Sequence, residues 1–164
     1  MARSQWHKVY ASSIQAPADL LFRLLSDLPK YGDWLPGSAA YGATTDVEPY
    51  PVRHGSRYHD GKPGEAGKDW WGTVTGFQPP GSVDFQHTIH VTQLAATIDV
   101  HIHYSLEEQQ DGTTAVSRWL VLDVRMPLVF RPLRRLVTAS FDKENVRTLA
   151  ALKQYAEAQA VQPG

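Results

Sequence analysis

The chain has 164 residues, 42% hydrophobic and 20% charged, with no cysteine and a formal net charge of -1. That length suits one domain of the common size, about 100–200 residues, and no apolar run approaches the roughly 20 residues needed to span a bilayer. The missing cysteines exclude disulfides, thiolate metal sites and a cysteine nucleophile, and the near-neutral charge leaves no broad footprint for nucleic acid.

The opening eight residues, Met1 to Lys8, lack the apolar stretch and small-residue cleavage site of a secretory signal, so a cytoplasmic location is expected. A first strand is predicted over residues 6–14. Pro17 then opens a helix in which Leu20, Leu21, Leu24, Leu25 and Leu28 recur at helical spacing. Pro29 breaks it, and residues 30–35 read as a second short helix or turn before Pro36-Gly37. Six strands follow, over residues 39–47, 56–61, 68–77, 82–92, 97–107 and 113–124, with Pro79-Pro80-Gly81 and Asp111-Gly112 as the clearest hairpin turns. A long helix over residues 128–158 closes the chain. Strands gathered in one block beside a few helices argue for an α+β fold with an antiparallel meander, in one domain over residues 1–164.

A resemblance covers nearly the whole chain. The run Ser13-Ile14-Gln15-Ala16-Pro17-Ala18-Asp19-Leu20-Leu21-Phe22, then Leu25-Ser26-Asp27 and Tyr31-Gly32-Asp33-Trp34-Leu35-Pro36, resembles the START-like (SRPBCC, Bet v 1-like) superfamily, notably its bacterial polyketide cyclase/dehydrase branch. Phe141-Asp142-Lys143-Glu144-Asn145 through Leu149-Ala150-Ala151-Leu152-Lys153 looks like the terminal helix of that branch. The resemblance implies a helix-grip fold, in which a curved antiparallel sheet wraps around the long C-terminal helix, with two short helices after the first strand. It also implies a lipid-like or polyketide-like ligand in a central cavity. These motifs are structural and speak for the fold more than for an activity.

Strand alternation nominates the cavity wall. Val83, Phe85, Ile89 and Val91 share one face of their strand, and Ile98, Val100, Ile102, Tyr104 and Leu106 share one face of the next. His87 is the one ionisable residue of the first face; it is either a general base or ligand anchor, or a core histidine satisfied by a neighbouring hydroxyl. A three-residue Gln110-Asp111-Gly112 loop sets Val116, Leu120, Leu122 and Val124 inward, with Arg118 beside Tyr104; a two-residue Asp-Gly turn reverses this. An inward Arg118 needs a carboxylate, a ligand oxygen or water, since an unpaired buried charge costs several kcal/mol. On the last helix Val137, Phe141, Glu144, Thr148, Leu152 and Tyr155 form one stripe, with Asn145 at its edge and Lys143, Arg147, Lys153 and Glu157 outside it. Glu144 and Thr148 interrupt the apolar stripe, which suggests a hollow there, or a structural pair of Glu144 with Arg118 or a tyrosine. Of the adjacent Trp70 and Trp71, one faces inward and one outward, and spacing does not say which. Tyr58 and Trp34 are candidates for an entrance, or simply pack.

Other motifs carry less. Asp99, His90, His101 and His103 share the opposite face of the same hairpin, where HxH spacing without further ligands is weak support for a metal, so no metal and no cofactor is expected. The stretch over residues 61–67 is Gly-rich but lacks a phosphate-loop ending and reads as a hairpin loop. No Gly-x-Ser-x-Gly elbow or dinucleotide fingerprint occurs. Arg125, Arg131, Arg134 and Arg135 surround the apolar residues 126–130, forming either a solvated basic edge or a weak contact for an anionic surface.

Three functions stay open at this point. The first is binding of a hydrophobic lipid-, polyketide- or aromatic-like molecule, lined by Tyr58, Trp70, Trp71, Phe85, Ile89, Val100, Ile102, Tyr104, Leu120, Phe141, Asn145 and Thr148. The second is a cofactor-independent cyclase, aromatase or dehydratase with His87 or Glu144 moving protons and Arg118 stabilising an enolate. The third is a protein-interaction role for the basic patch. Ligand identity and oligomeric state are not legible.

Overall fold

The computed structural model describes residues 1–62, 64–65 and 68–161. Strand β1 (Ala2–Ile14) leads through Pro17 into α1 (Ala18–Ser26), whose Leu21, Phe22 and Leu25 are buried. A 3-10 turn (Leu28–Lys30) runs straight into the four-residue α2 (Tyr31–Trp34). Then come β2 (Thr45–Glu48), β3 (Arg57–Gly61), β4 (Asp69–Gln78), β5 (Ser82–Val91), β6 (Ala96–Glu108) and β7 (Thr114–Met126), and finally α3 (Arg134–Ala160). The strands form a single seven-stranded antiparallel sheet in the order β1-β7-β6-β5-β4-β3-β2. The two halves of that order are joined by α1 and α2, so the helices bridge its two edges while α3 packs against β1, α1 and α2. This is the helix-grip arrangement.

The register follows from burial. Period-two alternation puts every second side chain of β6 and β7 inward, and Ile98, Val100, Tyr104 and Leu106 pair with Val124, Leu122, Arg118 and Val116. The loop between them is the three-residue one, closed by Gln109 N donating to Thr113 O, with Gly112 at a left-handed φ of 79°. That choice turns Arg118 inward.

Several predicted bounds differ from the structure, the first strand beginning at Ala2, four residues before the predicted start at residue 6. Residues 39–47 were expected to be a strand, yet only Thr45–Glu48 pairs. Upstream of it, the N–H groups of Ala40 and Tyr41 go to Ser38 Oγ, and those of Gly42 and Ala43 go to Gly61 O. Local side-chain acceptors outcompete a ladder there. The long helix begins at Arg134, not at residue 128, because Leu128–Leu133 is a 3-10 segment containing Pro132, which has no N–H to give to an α-helical bond. Of the Gly-rich stretch, Pro63, Ala66 and Gly67 lie outside the described residues.

Candidate functional site

The sheet's concave face, the loop over residues 35–44 and the first half of α3 enclose a cavity of about 370 Å³. Three rows of paired residues build its floor. Tyr58, Gly72, His87, Val100 and Leu122 lie side by side across β3 to β7, Phe85, Ile102 and Leu120 form the next row, and Tyr104, Arg118 and Tyr10 the one after. Gly72 is needed in this floor: a Cβ there would sit 2.2 Å from Tyr58 Cζ, so its absence lets the tyrosine ring cross the strand.

Arg118 is the dominant polar group. It is 8% exposed, and no carboxylate lies within ion-pair distance of it among the described residues. Its Nε donates to Asn145 Oδ1 at 2.5 Å, one Nη donates to the hydroxyl of Tyr104, and the guanidinium stacks 4.8 Å from the Tyr104 ring centroid. Asn145 in turn donates through Nδ2 to Phe141 O, which fixes its amide. Burial pulls the Arg118 pKa down from its ordinary value to about 10, with the surrounding tyrosines and Asp60 opposing the shift. The second Nη makes no hydrogen bond among the described residues and faces the cavity.

His87 stacks on Trp70, with ring centroids 5.3 Å apart and planes 20° from parallel. Desolvation, then the positive charges of Arg118 and His101, lower its pKa to about 3, so the imidazole is neutral at physiological pH. His87 Nδ1 and Trp70 Nε1 are sealed off without partners, which leaves Nε2 as the histidine nitrogen able to meet a ligand. The neighbouring hydroxyl considered as a partner for a core histidine is not there.

Asp60 escaped sequence reading. It lines the cavity from β3, its Oδ1 accepting from Gly61 N at 2.7 Å and Thr44 Oγ1 at 3.3 Å, and burial raises its pKa to about 6. The one available signal was its alternation with Tyr58 in a five-residue strand, too short to declare a face. Tyr41 and Thr44 line the same cavity from positions that carried no pattern, and Arg147 lines it from outside the predicted stripe.

The helix residues divide. Phe141, Asn145 and Thr148 line the cavity, and Glu144 stands at its rim. The pairing considered for Glu144 with Arg118 or a tyrosine is not made: its Oε2 accepts from Ser38 Oγ at 3.0 Å and from Arg147 Nη2 at 2.9 Å. Asn145, one position further round the helix, reaches Arg118 in its place. Arg147, expected outside the stripe, also donates to Pro36 O, so Glu144 and Arg147 together tether the loop over the mouth.

Trp70 is the inward tryptophan. Trp71 is 49% exposed on the outer face, stacked on His59 with Arg57 above it, so its place among the ligand-lining residues is corrected by strand alternation. Trp34 packs in the core, donating to Leu24 O. All the other proposed lining residues, Tyr58, Phe85, Ile89, Val100, Ile102, Tyr104 and Leu120 included, border the cavity.

On the outer face, His103 bonds Asp84 at 2.6 Å and Asp99 bonds Thr88 and Arg125, so those donors are spent in neighbouring pairs. No cluster of three or more metal-ligating side chains occurs among the described residues. Arg125 thereby leaves the basic patch, while Arg131, Arg134 and Arg135 have no ion-pair partner among the described residues and lie beside the exposed Leu128, Val129 and Leu136. No described helix is long and apolar enough to cross a membrane.

Comparison with known proteins agrees with this architecture. No curated protein matches the sequence. Among solved structures, the di-domain aromatase/cyclase BexL of the BE-7585A biosynthetic pathway superposes with a TM-score of 0.72 at 14% identity, covering 97% of this chain and 51% of that one. The Zhui aromatase/cyclase from Streptomyces sp. R1128 gives 0.68 at 15% identity, covering 94% of each chain. Norcoclaurine synthase from Thalictrum flavum gives 0.63 at 13% identity over 93% of this chain and 87% of that one. At such identities the likeness is one of fold. The family model described as polyketide cyclase/dehydrase and lipid transport matches residues 6–157, and with nearly its whole length covered the chain belongs to that family.

Proposed function

We propose that this protein binds a hydrophobic small molecule between sheet and α3, holding an acceptor oxygen of that molecule with Arg118. The observation that carries this reading is a buried guanidinium in the cavity lining that has, among the described residues, no carboxylate at ion-pair distance and one Nη without a hydrogen bond. Burying a charge costs several kcal/mol unless it is compensated, and a ligand carbonyl, enolate or carboxylate supplies the compensation. The volume, about 370 Å³, falls at the lower end of the roughly 300–1,000 Å³ common for small-molecule sites. Fluorescence titration with 1-anilinonaphthalene-8-sulfonate tests it: the sulfonate is an acceptor and the rings are apolar. Saturable binding is expected, with affinity at least about tenfold weaker in Arg118→Leu, the loss of one charge-assisted hydrogen bond. Equal affinity in the variant would refute the role of Arg118.

One observation favours a second reading, in which the cavity also performs chemistry. A neutral imidazole and a guanidinium face the same space: Arg118 is placed to stabilise an enolate, and His87, a weak base with its pKa lowered to about 3, to hold the reacting oxygen by a hydrogen bond. The aromatase/cyclase names of the structural relatives are consistent with it. His87→Ala separates the two readings: loss of turnover with binding retained supports chemistry, and loss of neither removes His87 from both.

A further inference from the structure

Resting on the ligand-binding reading above, we infer that the cavity is built for a molecule polar at both ends, with an acceptor at Arg118 and a hydroxyl or amine donor at Asp60. Each carboxylate oxygen has a different fate. Asp60 Oδ1 is taken up by Gly61 N and Thr44 Oγ1. Oδ2 accepts no hydrogen bond among the described residues and is not one of the sealed-off atoms, on a residue that lines the cavity. Lys68, the nearest lysine along the cavity rim, is occupied by Glu65 at 2.8 Å.

Arg118 and Asp60 form no ion pair among the described residues, although each favours the charged form of the other. They stand on β7 and β3, with β6, β5 and β4 between them, and line the same cavity from the concave side of the curved sheet. The wall between the two poles is mostly apolar, with Phe85, Ile89, Val100, Ile102 and, from α3, Phe141, and is interrupted by His87 on β5. A ligand apolar at its far end would strip water from the Asp60 carboxylate and return nothing, which is costly for a charged acceptor. A donor at that end restores the bond. The two charges therefore set a polarity for the ligand, while the apolar part of the band between them supplies the burial.

Dodecanoate and 12-hydroxydodecanoate differ only in the terminal donor, and calorimetric titration of both at pH 7.5 reads the inference directly. In a cavity with one polar end the added hydroxyl weakens binding by desolvation. Here it is expected to strengthen binding about fivefold, the net of a hydrogen bond to a charged group over that desolvation. In Asp60→Leu the order should reverse. Dodecanoate binding more tightly than the hydroxy acid to the wild type, or an unchanged preference in folded Asp60→Leu, would overturn the two-ended ligand while leaving the cavity reading intact. Binding of neither acid would overturn both. The wild-type comparison needs no variant, so the test holds even where Asp60→Leu does not fold.

Discussion

Replacing the guanidinium and its two protein partners together separates a residue kept for a ligand from one kept for the fold. The fall of the Arg118 pKa from 12.5 to about 10 corresponds to roughly 3 kcal/mol disfavouring the charged form in the folded protein. Arg118→Met alone removes that cost but orphans the Tyr104 hydroxyl and Asn145 Oδ1, each worth about 1–3 kcal/mol when buried without a partner, so the single variant should unfold within about 2 kcal/mol of wild type. The triple variant with Tyr104→Phe and Asn145→Leu leaves no orphans. It should be more stable than wild type by about 1–3 kcal/mol, as when buried ionic groups elsewhere are replaced by packed apolar ones, raising the melting temperature by about 2–4 °C per kcal/mol. Urea and thermal unfolding followed by circular dichroism measure this, and titration with 1-anilinonaphthalene-8-sulfonate should show binding lost at the same time. A triple variant less stable by more than about 2 kcal/mol would mean that the guanidinium network holds the fold together, and the functional reading of Arg118 would fall.

Acid stability should report His87 and Asp60 with opposite signs. His87 has its pKa lowered from 6.5 to about 3, so the unfolded chain binds the extra proton between those values and stability is lost as pH falls through that window; His87→Phe should flatten this limb in pH-dependent urea unfolding. Asp60 has its pKa raised from 3.8 to about 6, so the folded chain binds the extra proton and stability falls as pH rises through that range; Asp60→Asn should steepen the acid limb, and no change in either variant would contradict these assignments. Gly72→Ala places a Cβ against the Tyr58 ring and should cost about 1–3 kcal/mol by overpacking, measured by thermal unfolding. Trp70→Phe should abolish most of the ligand-induced change in tryptophan fluorescence, whereas Trp71→Phe, on the outer face, should leave it intact.

Strand alternation and helical periodicity carry far in this chain because both follow from burial, which the sequence writes at fixed spacing. Val83 to Val91 and Ile98 to Leu106 announce a wall, whereas the choice between a two- and a three-residue turn, and with it the inward Arg118, was decided by the Gln109–Thr113 closure in the structure. The helix stripe likewise brought Glu144 and Thr148 to the cavity. What spacing does not contain is which neighbour a polar side chain reaches. Asn145, at the stripe's edge, takes Arg118 because the helix rotates it over Tyr104, while Glu144 swings to Ser38 and Arg147, more than 100 residues apart from Ser38 in sequence. Asp60 becomes a cavity residue only through the pairing of β3 with β4, and Trp70 is chosen over Trp71 by the same ladder. Local period thus determined the wall, and tertiary pairing decided which charges face each other across it, since a hydrogen bond depends on positions in space that a one-dimensional repeat does not encode.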